Sequence, residues 1–570
     1  MIDFCKRNLR LFIYITLVLA FYITLISLYN KLCPWTGGAY LRKIADAMLF
    51  ALPILFCKRK LVVSFYLLIA SLYLLSIVWY FRTYSTIMPL SSYLMVENLN
   101  GLSSSIYNSM SYYDLLYIAP LLVFFLFYSW GHALIPKRQY AQKGWYIGIS
   151  IFIIIVIVVA PYCPNKRPYY KQPFYLFKTE GPTALHRYGI IHFWIYQFAS
   201  FSSVSDDDKQ CAEQFVKRLS GASHFINDSS ICIRKNLILI LVESLQSWPI
   251  ELSVGETKVM PNINCLIRQD NVLYFPNVMS QVKDGRSSDA QLLINTGLLP
   301  LSTGAAASLC ANNEFPSLAK ALKTYGYNSV SFICDDKTFW NQGATTIAYG
   351  FDKLYDKMQG DNGRKEADEH LFETSLSVLK NMKQPFYAQL VTLSTHEPYV
   401  KPIIASSPLL HEVYKNNEVN NYLIALEYAD KCIAEFIRGL KDRNLYDNSI
   451  IVITGDHEQM TFNKYEGRGQ LKAEDCFVPL IIINSSLSSK NTKKVIGQID
   501  IYPSLLNLMG CYDYKWRGLG ESVFGSTVSD YATFRTGLAA GGTNVSDSIK
   551  NYREECWKIS DILLRMNYFK

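Results

Sequence analysis

Glu243, the run Gly285-Arg286-Ser287-Ser288-Asp289 and the pair Asp456-His457 are the residues of this chain best suited to chemistry. They supply a carboxylate, a hydroxyl, a second carboxylate and an imidazole. Such a set can hold one divalent cation beside a nucleophilic oxygen. A held cation makes a serine hydroxyl useful at neutral pH, because it favours the alkoxide and screens an incoming phosphate. The chemistry expected is phosphoryl-type transfer. Taken singly, Glu243 also reads as a helix-start carboxylate, Asp456-His457 as a turn and Ser287 as part of a serine-rich loop. Their joint placement after strand-like stretches favours coordination. Ser287 follows a glycine-started turn that can present its hydroxyl outward. Arg286 is suited to holding phosphate oxygens, and Asp289 to capping the helix that follows.

The elements that must position these groups alternate between strand and helix. Leu237–Val242 is a continuous apolar run, as in a buried parallel strand. Ser329–Ile333, Phe386–Leu393, Ser449–Ile453 and Val478–Ile483 read as further strands. Ser317–Thr324, Val419–Leu440 and Tyr502–Met509 read as helices, the last closed by Gly510. This alternation predicts an α/β sandwich with a mainly parallel central sheet. Reactive groups in such folds gather at the carboxyl ends of strands, where Glu243 and Asp456-His457 stand.

The first third is different. The chain has 570 residues, half of them hydrophobic, and the long apolar runs lie before residue 162. Five membrane spans are expected, at about Leu11–Leu28, Tyr40–Phe56, Leu61–Phe81, Asp114–Ile135 and Trp145–Cys163, each near the ~20 residues that cross a bilayer core. The second carries Asp46 and Pro53. The basic clusters Lys6/Arg7/Arg10, Lys58/Arg59/Lys60 and Lys137/Arg138/Lys143 then share one side, the cytoplasmic one, and everything after Cys163 is exported. Residues 1–163 form a transmembrane domain and 164–235 an aromatic juxtamembrane connector. Residues 236–525 form the catalytic domain and 526–570 its C-terminal extension. A net charge of +9 without a long Lys/Arg stripe excludes nucleic acid as the natural partner. The 13 cysteines contain no CxxC pair; Cys211 and Cys232 can form a disulfide or stay separate thiols.

The strings LILILVES around Glu243, GRSSDAQLL around Ser287, KTFWN around Trp340, THEPY around His396, ITGDHE around Asp456 and QIDIYPSLLNLMG near the end resemble the lipoteichoic acid synthase group. These are membrane-anchored members of the sulfatase and alkaline phosphatase-like superfamily. The resemblance implies a metal-dependent bacterial membrane transferase of several spans with an extracytoplasmic sulfatase-like domain. It places Ser287 where the family has its nucleophilic threonine. Glu243, Asp456 and His457 become metal ligands with Ser287 completing the sphere. The cation is Mn²⁺, with Mg²⁺ or Zn²⁺ as alternatives, since ligand type alone does not choose. His396 is expected to bind phosphate or protonate a leaving group, and Asp335 and Trp340 to line the head-group pocket.

The implied reaction moves a phosphoglycerol or phosphoethanolamine head group from a phospholipid to a glycan, glycolipid or lipid acceptor through a phosphoserine. The sequence departs from the family pattern at Ile333 and Gln342, where the synthases have His and Arg. The extra acid Asp336 then suits a cationic head group such as ethanolamine. A hydrolase of the same superfamily and a non-catalytic membrane scaffold are the rival readings. Sulfate-ester chemistry is disfavoured, because Ser287-Ser288-Asp289-Ala290-Gln291 lacks the Pro and Arg of the C/S-x-P-x-R string. The remaining histidines, His132, His186, His224, His370 and His411 among them, read as structural or solvent-exposed.

Overall fold

The computed structural model describes residues 9–32, 40–57, 59–84, 87–94, 107, 109–131, 141–159, 173–179, 181–200, 204–221, 234–358, 366–397, 399, 410, 417–458, 472–525 and 528–570. Cys232, His132, His224, His411 and the basic residues Lys6, Arg7, Lys58, Lys137 and Arg138 lie outside the described residues. The chain divides into two units, Met1–Leu90 with Ser103–Ser202, and Ser91–Leu102 with Ser203–Lys570.

The first unit is helical. In the helix Leu9–Leu32, Leu17, Phe21, Leu25 and Leu28 recur every three or four residues and are wholly buried against neighbouring helices. The opposite face carries Ile15, Leu19 and Ile23, all exposed. Leu61, Phe65, Leu68 and Leu72 are exposed in the same way on the helix Lys60–Tyr84. An apolar face turned away from the protein indicates a lipid neighbour. Phe12–Leu32 and Lys60–Arg82 are long and apolar enough to cross a membrane, and a membrane location follows.

The other three expected spans are helical but interrupted or shorter. Tyr40–Ala51 is followed by the single turn Pro53–Phe56, because proline cannot continue the hydrogen-bond ladder. A 3₁₀ stretch, Tyr112–Ile118, precedes Ala119–Gly131. The fifth segment is the helix Ala141–Val159. Asp46, the acid in the second segment, accepts hydrogen bonds from the Tyr29 hydroxyl at 2.7 Å and from the backbone N–H groups of Ile190 and Ile191 at 3.0 and 3.1 Å. It thus caps the helix Ile190–Ser200 instead of facing lipid. Phe177, Tyr188, Phe193 and Tyr196 of the aromatic stretch pack into the core of this unit.

The second unit is built on an eight-stranded sheet. Its strands are β1 Asn236–Val242, β2 Val272–Met279, β3 Asn328–Ile333, β4 Lys353–Tyr355, β5 Phe386–Val391, β6 Ser449–Gly455, β7 Phe477–Ile483 and β8 Ile496–Gly497. Their order across the sheet is β8-β2-β7-β6-β1-β5-β3-β4. Neighbours are parallel except that β7 runs antiparallel to both β2 and β6. The expected strands are all present, with ends displaced by a residue or two. Strand β2 is an addition that the sequence reading lacks. Its Pro276 argues against a strand, but the β2–β7 register shifts between Phe275 and Val278, so the proline sits where no ladder bond is required.

Strand β1 shows why the sheet is a sandwich centre. Leu237, Leu239 and Leu241 belong to one buried cluster, with Leu292 and Leu293, Leu318, Leu505 and Ile559 from helices on that face. Ile238, Ile240 and Val242 belong to the other, with Leu371, Phe372, Leu423 and Phe436. Alternate side chains of one apolar run therefore supply both cores, as a period of two requires. Each such side chain contributes about 1.5–3 kcal/mol on burial, and β1 is held rigidly at the sheet's middle. A further hairpin, β9 Tyr531–Thr533 with β10 Ala539–Gly541, and the helix Asp547–Arg565 complete the unit.

Candidate metal-centred active site

The sheet register brings the two carboxylates together. Val242 pairs with Gly455 across the parallel strands β1 and β6, so the next residues, Glu243 and Asp456, leave adjacent strand ends side by side. Gly455 permits this closeness, since a Cβ there would lie 1.9 Å from the Leu245 carbonyl oxygen. Ser244 then turns the chain at φ 53. Its N–H donates to Asp456 Oδ1 at 2.7 Å, and its hydroxyl donates to Glu243 Oε1 at 2.8 Å. The His457 N–H donates to the same Asp456 Oδ1 at 2.7 Å. Asp456 Oδ2 is buried, has no hydrogen-bond partner among the described residues and lies 3.7 Å from His457 Nε2.

His457 presents that nitrogen by an outer contact. Its Nδ1 lies 3.2 Å from the Glu458 carbonyl oxygen, which can only accept. Nδ1 therefore carries the proton, and the Nε2 lone pair faces inward. Burial holds the imidazole below its ordinary pKa, that is, neutral. Burial, with repulsion from Asp456, pushes the Glu243 carboxyl up to about 8, and burial pushes Asp456 up to about 6. Ligand atoms of Glu243, Asp456 and His457 all lie within 4.8 Å of one another. Two buried carboxyls, a neutral imidazole and an orphaned carboxylate oxygen fit a divalent cation, which would keep both acids ionised.

Ser287 opens the helix Ser287–Thr296. Its hydroxyl donates to Glu243 Oε2 at 3.0 Å and lies 3.4 Å from His457 Nε2. The preceding turn is tightly clasped. Arg286 has φ 47 and ψ −121, a corner that normally takes glycine, at a strain of about 1–3 kcal/mol. Asp289 Oδ2 accepts the N–H groups of Lys283 and Gly285, each at 2.9 Å. Asp289 was expected to cap the following helix; it staples the turn before it. Ser288 donates to the Gly285 carbonyl at 2.6 Å.

The remaining expected residues occupy neighbouring strand ends. His396 follows β5, with its Nδ1 2.5 Å from the Glu397 carbonyl oxygen. The Thr395 hydroxyl bonds the Glu243 carbonyl, and the Glu243 N–H donates to Thr392 Oγ1 at 3.0 Å, so this loop is fastened to the end of β1 that carries Glu243. Asp368 Oδ1 fixes it further by accepting the N–H groups of Leu393 and Ser394 at 2.8 and 2.9 Å. Asp335 and Trp340 stand after β3, one strand farther out; Asp335 is buried, and Trp340 is half-buried at φ 49.

The departures from the family pattern have structural reasons. Ile333 lies in the hydrophobic core. Gln342 is buried and accepts the Gln291 side-chain amide at 3.0 Å, tying its loop to the helix that Ser287 opens. The Asp336 carboxylate pairs with Lys357 at 2.9 Å in an exposed ion pair, which a surface setting makes weak.

Arg286 is buried and faces Glu458, Nη1 to Oε1 3.6 Å, so part of its charge is engaged within the protein. Glu458 also binds Arg535 Nη1 at 2.5 Å and accepts the Ser280 hydroxyl at 2.6 Å. Sequence reasoning missed both residues. Glu458 is signalled only by its place directly after Asp456-His457, and Arg535 by nothing local.

The sulfatase family matches residues 235–511, and the lipoteichoic acid synthase N-terminal domain matches residues 4–207. Lipoteichoic acid synthase 1 of Bacillus subtilis is 26% identical over 490 residues, 80% of this chain and 74% of that protein. The crystal structure of the lipoteichoic acid synthase LtaP from Listeria monocytogenes, 26% identical, superposes with a TM-score of 0.51 over 62% of this chain and 98% of that one. The lipooligosaccharide phosphoethanolamine transferase EptA of Neisseria meningitidis shares the fold at 14% identity, with a TM-score of 0.57 over 88% of this chain and 95% of that one. The chain thus carries a sulfatase-family domain after a lipoteichoic acid synthase N-terminal domain, and its relatives make it a lipoteichoic acid synthase-like transferase.

Proposed function

We propose that the protein is a metal-dependent membrane transferase that moves a phosphorylated head group from a phospholipid to an extracytoplasmic glycan, glycolipid or lipid acceptor through a phosphoserine at Ser287. The observation that carries the reading is the hydroxyl of Ser287 held 3.0 Å from Glu243 Oε2 and 3.4 Å from His457 Nε2 in a buried donor set. Glu243, Asp456, His457 and the Ser287 oxygen would hold one divalent cation, Mn²⁺ first. When bound, that cation supplies positive charge that favours the deprotonated hydroxyl and offsets phosphate charge.

In the first step the Ser287 oxygen attacks phosphorus, and the bond to the diacylglycerol oxygen breaks. His396 protonates that leaving oxygen, and Trp340 and Asp335 line the head-group side. In the second step His396 takes the proton of an acceptor hydroxyl, whose oxygen attacks phosphorus, and the bond to the Ser287 oxygen breaks, the ping-pong course of covalent catalysis. The donor carries phosphoglycerol or phosphoethanolamine. A five-span domain at residues 1–163, a connector at 164–235 and an exported domain at 236–525 with its extension at 526–570 would keep the site at the membrane surface, where donor lipids are concentrated.

The test is intact-mass analysis of the detergent-solubilised full chain with Mn²⁺ and either phosphatidylglycerol or phosphatidylethanolamine. A mass gain absent in Ser287→Ala supports the reading, and its size names the head group. No adduct and no diacylglycerol release with either lipid, in protein that binds the metal, would overturn it.

A further inference from the structure

Arg535 lies on the hairpin formed by β9 and β10, beyond the residues that match the sulfatase family. Its guanidinium Nη1 is 2.5 Å from Glu458 Oε1, and it packs over the Phe534 ring at 4.3 Å. Glu458 is buried and directly follows His457. The same Oε1 lies 3.6 Å from Arg286 Nη1, and Oε2 accepts the Ser280 hydroxyl at 2.6 Å. Arg286 directly precedes Ser287, and its backbone holds the glycine-like corner at φ 47. A non-glycine residue keeps such a conformation only where its surroundings over-determine it. Asp289 clasps that turn from the Lys283 and Gly285 side, and the Glu458 contact anchors the Arg286 side chain.

We infer that Arg535 is a positioning residue for the nucleophile: it fixes Glu458, Glu458 fixes Arg286, and Arg286 fixes the turn that aims the Ser287 hydroxyl. The first two links are buried or half-buried charge contacts, and the third is the Arg286 backbone itself. Losing one partner leaves the others to move towards substitutes instead of simply weakening. Without Arg535, the Glu458 carboxylate has Arg286 as its remaining ion-pair partner among the described residues and draws it closer, which turns the corner before Ser287. A misplacement of this kind lowers the rate of attack while the donor still binds. The inference rests on Ser287 being the nucleophile, as proposed above.

The experiment compares full-length wild type, Arg535→Met, Arg535→Lys and the pair Arg535→Met with Glu458→Gln, in detergent with Mn²⁺ and the donor lipid that labels the wild type. Three quantities are read: the single-turnover rate of Ser287 labelling, KM for the lipid, and amide hydrogen exchange across residues 283–289. Arg535→Met is expected to slow labelling about tenfold to a hundredfold, with KM within about twofold, and to speed exchange in the turn. Arg535→Lys recovers part of the rate. The paired variant is no faster than Arg535→Met alone, because Glu458→Gln removes the charge that anchors Arg286, so the two losses lie on one line of contacts and do not add.

A raised KM with an unchanged labelling rate would overturn the inference and make Arg535 a lipid contact. A lower melting temperature with wild-type rate and exchange would reduce it to a structural residue. If Arg535→Met does not fold, the lysine and paired variants decide by the same readings. Absence of labelling in the wild type itself would instead count against the phosphoserine reading.

Discussion

Ser287 Oγ and Glu243 Oε2 are 3.0 Å apart although 44 positions separate the residues, one at a helix start and the other at a strand end. The contact has a mechanistic consequence. A hydroxyl already donating towards a ligand carboxylate is prepared to lose its proton when a cation binds. Ser287→Ala is expected to lower transfer at least about a thousandfold, as removal of a nucleophile commonly does. Ser287→Thr, which keeps the hydroxyl, is expected to retain a substantial part. Diacylglycerol release measures both, and an alanine variant with near wild-type turnover would move the nucleophile elsewhere.

Metal dependence is readable without turnover. Mn²⁺ at about a hundred times its Kd is expected to stabilise the protein by about 2.7 kcal/mol by mass action. Glu243→Gln and His457→Ala should lose most of that increment. Thermal melting of each variant with and without the ion is the check, and an undiminished increment in both would refute the donor set.

Gly455 allows β6 to approach the Ser244 turn. An alanine Cβ there would meet backbone, the Leu245 carbonyl oxygen at 1.9 Å and the Val478 Cβ at 3.0 Å. Gly455→Ala is expected to cost about 1–3 kcal/mol of stability as overpacking. It should also weaken cation binding by about tenfold or more, because Asp456 is the next residue. Calorimetric titration of Mn²⁺ into variant and wild type separates the two effects.

Asp368 sets a pH dependence. Burial holds its carboxyl above the ordinary value, although two backbone N–H groups donate to it. In the window between the ordinary and the raised value, the native state binds the proton and the unfolded chain does not. The stability from this group is therefore present at low pH and is lost as pH rises through that window. Asp368→Asn keeps an acceptor for both N–H groups and removes the titration. Its stability relative to wild type is expected to rise with pH, whereas Asp368→Ala should cost about 1–3 kcal/mol by stranding two buried donors. Denaturant unfolding at acidic and neutral pH tests this, and parallel curves for wild type and the asparagine variant would contradict it.

Restoring the synthase-like residues should not restore a synthase-like pocket. Ile333 is a core side chain, and Gln342 bonds Gln291 in the buried interior. Ile333→His with Gln342→Arg is expected to destabilise the protein by about 2 kcal/mol or more, since both new groups are buried without partners. An equally stable double variant with altered donor preference would contradict this assignment of the two side chains to the interior.

The sequence by itself determined the apolar runs of β1, β6 and β7, the strand-helix alternation and the strings around Glu243, Ser287 and Asp456. These are short-range patterns: a buried strand must be apolar throughout, and a strand end that carries chemistry must carry it in adjacent residues. It also marked the apolar N-terminal segments, because lipid and a protein core demand the same composition. That shared demand is why five spans were legible as candidates, while among the described residues two helices have the length and composition to cross a membrane.

What only the tertiary structure decided concerns partners distant in the chain. Strand β2 hides behind Pro276 and is held by its pairing with β7. Whether Asp336 offers its charge to a substrate depends on Lys357, and whether Gln342 faces a pocket or the interior depends on Gln291. The reach of Arg535 back to Glu458 depends on where the last hairpin docks. Charge and hydrogen-bond potential are properties of a residue, but the partner that satisfies them is set by packing, and packing is not local in sequence.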